Sequence, residues 1–164
     1  MLKVLPSISE IQSPTTGPDT KQCRRCQKVA SLSHFEHNRR ICKTCRQSGK
    51  IKKINENPYT YLSNLYSHIK NKRARSHEFT IEREHLYQIF DKQKGLCSYT
   101  GIPMTHIKDG TGHHNTNISI DRYDNNKGYV SGNIRLVCLA VNMMKYTMDL
   151  DEFVQWCKFI AENN

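Results

Sequence analysis

Four cysteines carry the most specific spacing in this chain of 164 residues. Cys23 and Cys26 form one C-x-x-C pair, fifteen residues follow, and Cys42 and Cys45 form a second. Each pair can make a tight knuckle that presents two thiolates, and two knuckles complete a tetrahedral zinc shell. The neighbouring Arg24, Arg25, Lys43 and Arg46 favour the thiolate form. Four sulfur ligands leave no coordination position open, so one structural zinc per chain is expected. His34 and His37 lie between the pairs and are expected at the surface. Disulfide or redox pairing is the rival reading, set aside because residues 1–20 lack the basic start and apolar stretch of a secretory signal.

A second constellation runs from Ile118 to Lys145, read as strand, polar loop, strand and helix. Asp121 falls near the end of the first strand and Asn142 on the first turns of the helix. A hairpin packed on such a helix can bring two hard oxygen ligands together. That donor set suits Mg²⁺, which keeps several of its waters.

The order Asp121-Arg122, Asp124, Gly128-Tyr129, Gly132-Asn133, Cys138, Asn142 and Lys145 resembles the HNH (ββα-metal) endonucleases. It is most similar to small phage-type members that carry an N-terminal four-cysteine zinc module. The resemblance covers roughly residues 58–160. It implies that Asp121 and Asn142 bind the catalytic divalent cation and that Asn133 fixes the loop through bonds to backbone. It also implies that Lys145 contacts a phosphate, and that DNA is cut to 5′-phosphate and 3′-hydroxyl ends.

Two departures stand out. The family's general-base histidine directly after the acid is replaced by Arg122, which stays protonated and cannot take a proton from water. Arg122 could instead bind the scissile phosphate and stabilise the charge developing there. A base must then come from His113, His114 or Tyr123. Relatives often carry C-x-x-C at Cys97–Thr100 and again at Cys138–Val141, whereas here each pair has lost its second cysteine. Two cysteines are too few for a closed zinc site, so Cys97 and Cys138 are expected as small buried hydrophobes.

The elements that must position these residues are read in part from periodicity and in part from the resemblance. The resemblance implies an α+β fold: a ββα-metal (HNH) core with flanking helices, preceded by a small zinc-ribbon or knuckle module. Residues 1–20, with Pro6, Pro14, Gly17 and Pro18, read as a flexible leader, 21–55 as the zinc module and 56–164 as the nuclease-type domain. Asn57-Pro58 starts a helix whose inner face is Tyr61, Leu62, Leu65, Tyr66 and Ile69. Another begins after Thr80, buries Leu86, Ile89 and Phe90, and ends at Gly95. The ββα unit is expected at about 117–147. A last helix over about 150–162 is capped by Asp149 and Glu152 and buries Phe153, Trp156, Cys157 and Ile160.

Charge narrows the function. Residues 21–75 hold 15 Lys or Arg against Glu36 and Glu56, while residues 76–164 hold 9 against 11 acids. A basic arm joined to a near-neutral domain suits a polyanion, here DNA. No run of about 18 apolar residues exists, so no membrane-spanning helix is expected, and a cytoplasmic, non-secreted protein is (host cytoplasm if phage-encoded). The expected function is metal-dependent DNA endonuclease. One active site cuts one strand, so double-strand cleavage calls for a homodimer or successive nicks. The alternative is a non-catalytic zinc-containing nucleic-acid-binding protein with a degenerate nuclease fold. A zinc-stapled protein adaptor leaves the basic arm unexplained.

Overall fold

A computed structural model of the chain describes residues 17–164. Residues 1–16 of the expected leader lie outside the described residues. Gly17 to Thr20 form a turn, closed by the Thr20 N–H donating to the Gly17 carbonyl at 3.1 Å. The chain divides into two units, the described part of the first ending at Lys50 and the second spanning Ile51–Asn164.

The first unit opens on a small antiparallel hairpin, β1 (Thr20–Gln22) and β2 (Val29–Ser31), with Thr20 opposite Ser31 and Gln22 opposite Val29. Helix α1 (Lys43–Glu56) begins directly after Cys42 and runs across the boundary between the units. The sequence gives little sign of it, since Ile54 is its one buried residue and, Cys45, Gly49 and Ile51 apart, the other side chains are charged or polar. The buried centre of this unit is Cys23, Phe35 and Cys42, flanked by Cys26 and Cys45. So small a core is of the kind that a bound metal staples.

In the second unit α2 (Pro58–Arg73) starts as expected. Asn57 Oδ1 accepts from Tyr59 N–H at 2.8 Å, and Pro58 occupies the first helical position. Helix α3 (Arg83–Lys92) packs on α2 and buries Leu86 completely. Lys94 and Gly95, with φ of 54° and 70°, then turn the chain away in the left-handed region. Strands β3 (Ile118–Arg122) and β4 (Ile134–Cys138) pair antiparallel, with Ile120 opposite Leu136 and Asp121 opposite Arg135. Helix α4 (Leu139–Lys145) follows β4 without a break, and α5 (Leu150–Glu162) closes the chain. The described residues thus form a mixed helix and strand fold of five α-helices and two small sheets.

Alternation along the β3–β4 hairpin sets what each face does. Ile118, Ile120, Ile134, Leu136 and Cys138 point into the core with Leu62, Tyr66, Ile81, Leu86, Met104 and Tyr129. Ser119, Asp121, Arg135 and Val137 share the other face, which is also buried. Gly128 must be glycine, because a Cβ there would strike the Glu78 backbone to which the Tyr129 N–H donates at 2.8 Å. None of the described helices is long and apolar enough to cross a membrane.

One expectation fails. The apolar face of α5 is not core beyond its first turn: Phe153 is buried and Cys157 half-buried, but Trp156 and Ile160 are 54% and 60% exposed. The cap is also simpler than expected. Asp149 accepts from Glu152 N–H at 2.8 Å, and no bond returns from the Glu152 side chain. Period 3.6 identifies an amphipathic helix but not how much of the body lies under it.

Candidate active site and metal centre

In the first unit the Sγ atoms of Cys23, Cys26, Cys42 and Cys45 all lie within 4.8 Å of one another. Zinc–sulfur bonds of about 2.3 Å in a tetrahedron put the sulfurs about 3.8 Å apart, so the cluster fits the ion. Backbone shapes the knuckle. Cys23 N–H donates to Lys28 O, Gln27 N–H to Cys23 O, both at 2.9 Å, and Gln27 takes a φ of 60°. Cys42 N–H donates to Cys23 Sγ at 3.3 Å. Bonds from the Cys26, Cys42 and Arg25 backbone draw the Cys23 thiol down to about 6, whereas the neighbouring thiols, Cys26 first, push Cys45 up to about 12. Packed sulfurs accept one negative charge readily and resist further ones, an objection that a bound dication removes.

The same backbone pattern recurs in the second unit. Cys97 N–H donates to Ile102 O, Gly101 N–H to Cys97 O, both at 2.9 Å, and Gly101 takes a φ of 68°. Cys138, placed like Cys42 one residue before a helix, donates its N–H to Cys97 Sγ at 3.2 Å. Thr100 and Val141 stand where the first unit has Cys26 and Cys45. Cys97 and Cys138 are 2% and 4% exposed and belong to the hydrophobic core. Burial, and then the nearby Cys97 sulfur, push Cys138 up to about 11, which suits a neutral thiol.

The charged face of the β3–β4 hairpin carries the second cluster. Asp121 is 4% exposed. Its Oδ2 accepts from Tyr99 OH at 2.6 Å, and its Oδ1 accepts from Lys145 Nζ at 3.3 Å. Arg135 Nε lies 3.5 Å from Oδ2. Lys145 is fully buried against Asp121, rather than facing outward to a phosphate. Burial, and then the Asp121 carboxylate, raise the Tyr99 phenol well above its ordinary value, so Tyr99 remains a donor.

Asn142 is on this face too. Its Nδ2 donates to Ser119 Oγ at 2.8 Å and to the Ile120 carbonyl at 3.2 Å. A carbonyl only accepts, so the amide nitrogen faces the strand and Oδ1 points away from it. Asp121 and Asn142 therefore sit on one side of β3, with the donor types a hard cation takes. Asp121 is already balanced, however. A cation on Oδ1 competes with the Lys145 ammonium.

The remaining candidates separate. Arg122 lies on the opposite face from Asp121. Its Nη1 donates to Asn125 O at 3.1 Å and Lys127 O at 3.0 Å, and its guanidinium packs over the Tyr129 ring. Asn133 ties the same loop: Oδ1 accepts from Asp124 N–H at 2.9 Å, and Nδ2 donates to Asp124 O and Gly128 O. His113 is exposed, and His114 Nε2 lies 3.1 Å from Asp109 Oδ2. Both precede Ile118, itself about 10 Å along the strand from Asp121 at about 3.3 Å per residue. Tyr123 is half-exposed and lies against Arg135, its ring centroid 3.0 Å from Cζ.

Sequence reasoning missed Tyr99, Ser119 and Arg135. Arg135 was within reach, because pairing Ile118–Arg122 against Ile134–Cys138 puts it opposite Asp121. Nothing local marks Tyr99, which comes from the loop after α3.

No family model matches this sequence. Over 83 residues the chain is 28% identical to a protein of Enterobacteria phage T4, described as an uncharacterized 29.0 kDa protein in the dda-modA intergenic region. That match covers 51% of this chain and 31% of the phage protein, so the chain spans about a third of that relative's length. Among solved structures it is similar to the rare-cutting HNH restriction endonuclease PacI, with a TM-score of 0.44 and 24% identity. That alignment covers 87% of this chain and 94% of the other.

Proposed function

We propose that this chain is a zinc-stapled DNA endonuclease of HNH type, which hydrolyses phosphodiester bonds to 5′-phosphate and 3′-hydroxyl ends. The observation that carries the reading is the shared face of β3. A buried carboxylate, an amide oxygen turned outward, a tyrosine donor and two cations collect there. Asp121 and Asn142 would hold a divalent cation such as Mg²⁺. That ion would supply Lewis-acid stabilisation of the leaving oxygen. Ser119 and the Ile120 carbonyl hold Asn142 in position, and Tyr99 fixes the orientation of Asp121. Lys145 must yield Oδ1 if a cation is to enter. Among the candidates for the base that activates water, the geometry favours Tyr123, which lies against the cluster, over His113 and His114. Zinc on Cys23, Cys26, Cys42 and Cys45 holds the first unit together, and the basic stretch of residues 21–75 meets the phosphate backbone.

One observation favours the alternative, a non-catalytic nucleic-acid-binding protein. The single carboxylate of the cluster already has two cations and a phenol as partners. Supercoiled plasmid separates the two readings. Mg²⁺-dependent nicking that disappears in Asn142→Ala and Asp121→Asn supports the nuclease. Retained nicking in both removes the metal assignment, and DNA binding without any nicking supports the alternative.

A further inference from the structure

The charged face of the hairpin holds more positive charge than its own acid can use. Lys145 and Arg135 face one carboxylate, Asp121, and all three are buried. Lys145 is satisfied by Oδ1. Arg135 is not: its Nε and Nη2 are buried without a hydrogen-bond partner. Oδ2, the nearest acceptor, stands 3.5 Å from Nε and already takes the Tyr99 hydroxyl at 2.6 Å. A buried guanidinium with unused donors is costly to keep unless something completes it.

The two orphaned atoms are not an arbitrary pair. Nε and Nη2 form one edge of the guanidinium plane, a fork whose two N–H groups match adjacent oxygens of a phosphate. Tyr99 and Tyr123 place their rings against the guanidinium, at 4.5 Å and 3.0 Å from centroid to Cζ. Two rings packed against it restrict the movement of the guanidinium. Tyr123 is half-exposed, whereas Nε and Nη2 are themselves buried, so an oxyanion reaches them only when a neighbouring side chain moves aside. Arg135 and Tyr123 also line a cleft of about 570 Å³ together with His85, Lys92, Ser98 and Ser131, and no acid lines it. The other three basic residues between Ile118 and Lys145 are committed elsewhere, Arg122 to loop carbonyls, Lys127 to Asp124 and Lys145 to Asp121.

We infer that Arg135 is an oxyanion receptor that takes one phosphodiester of the bound nucleic acid through its Nε–Nη2 edge. The choice of a phosphodiester rests on the nucleic-acid reading above; the receptor itself rests on the orphaned fork. The Arg135 Nε–H resonance of the zinc-loaded full chain reads this directly during titration with dimethyl phosphate, with acetate as the competing class. Saturable movement with dimethyl phosphate and a weaker response to acetate is expected. Arg135→Lys keeps the charge beside Asp121 but loses the fork, so its affinity for a short DNA duplex should fall about tenfold, the loss of a charged hydrogen bond. Zinc content and unfolding midpoint report whether that variant has folded, and the resonance of the unaltered protein decides the matter if it has not. An Arg135 resonance unmoved by dimethyl phosphate, or moved as strongly by acetate, overturns the assignment and leaves Arg135 a counter-ion of Asp121. Plasmid nicking with an unmoved resonance sinks the receptor alone; a moved resonance without nicking in any divalent metal sinks the nuclease alone.

Discussion

Asp121 is the hinge of the candidate site because it is a lone buried acid between two buried bases. The two ways of breaking this arrangement are unequal. Asp121→Ala leaves both Lys145 and Arg135 charged and without their acid, which should cost about 3–5 kcal/mol. Lys145→Met removes one cation, fills the same space with an apolar chain, and leaves Asp121 balanced by Arg135, so the cost should be about 1 kcal/mol or less. Urea unfolding of the two variants checks this; equal losses would mean that Lys145 packing, rather than charge, holds the site. Tyr99 adds a pH dependence. Its folded pKa is raised, so the native state keeps a proton that the unfolded chain gives up. The stability from its bond to Asp121 is therefore complete below pH of about 10, the ordinary tyrosine value, and is lost as pH rises toward the folded value. Relative to Tyr99→Phe, the unaltered protein should lose its advantage in unfolding midpoint above that pH. A gap constant from pH 8 to 11 would contradict the raised value.

The helices and strands show which sequence signals survive folding. Asn57-Pro58 placed the start of α2, and the polar loop after Arg122 set off the strands on either side of it, because caps and turn signals are local and strong. Helix α1 has no strong local signal because it is held by Cys42 at its head and by Asn55 near its tail, not by an apolar stripe. Asn55 exchanges bonds with the Lys108 backbone at 2.8 and 2.9 Å. Helix α5 erred the other way, since its stripe outruns its contacts. Phe153→Ala should thus cost about 3–5 kcal/mol, whereas the exposed Trp156→Ala should cost less than about 1 kcal/mol. Similar losses in thermal unfolding would restore the whole face to the core. The site was half legible for a related reason. Asp121, Asn133 and Asn142 belong to one contiguous motif, but Tyr99 reaches them from 22 residues before Asp121, through a tertiary contact that no local pattern encodes. The knuckle at Cys97 yields a further test. Its backbone matches the Cys23 knuckle bond for bond, so Thr100→Cys with Val141→Cys should raise bound zinc from about one to about two per chain. A count that stays at one would mean that matching backbone bonds do not bring four sulfurs together.

Across the chain, the two units depend on different forces. Among its described residues the first has three buried hydrophobic positions, two of them cysteines, while the second buries a continuous cluster from Leu62 to Cys138. Chelating the zinc should therefore unfold residues 20–50 and spare the rest. All eight tyrosines and Trp156 lie beyond residue 50, so the tyrosine and tryptophan bands of near-ultraviolet circular dichroism report the second unit and should hardly change. The charge is divided as well, and α2 carries part of the basic share into the second unit. Lys70 is engaged there: it donates to Tyr66 OH at 3.2 Å and lies over that ring. Lys72, Arg73 and Arg75 are exposed at and just beyond the C-terminal end of α2. If they meet DNA phosphates, replacing all three with Gln should weaken duplex binding and flatten the plot of log affinity against log salt. Each phosphate contact contributes about 0.9 to that slope, so the three together account for up to about 2.7. Lys70→Gln should change it far less, because its ammonium is held on Tyr66. An unchanged slope in the triple variant would move the DNA contact away from α2 and leave the positive charge of residues 21–53 to carry it.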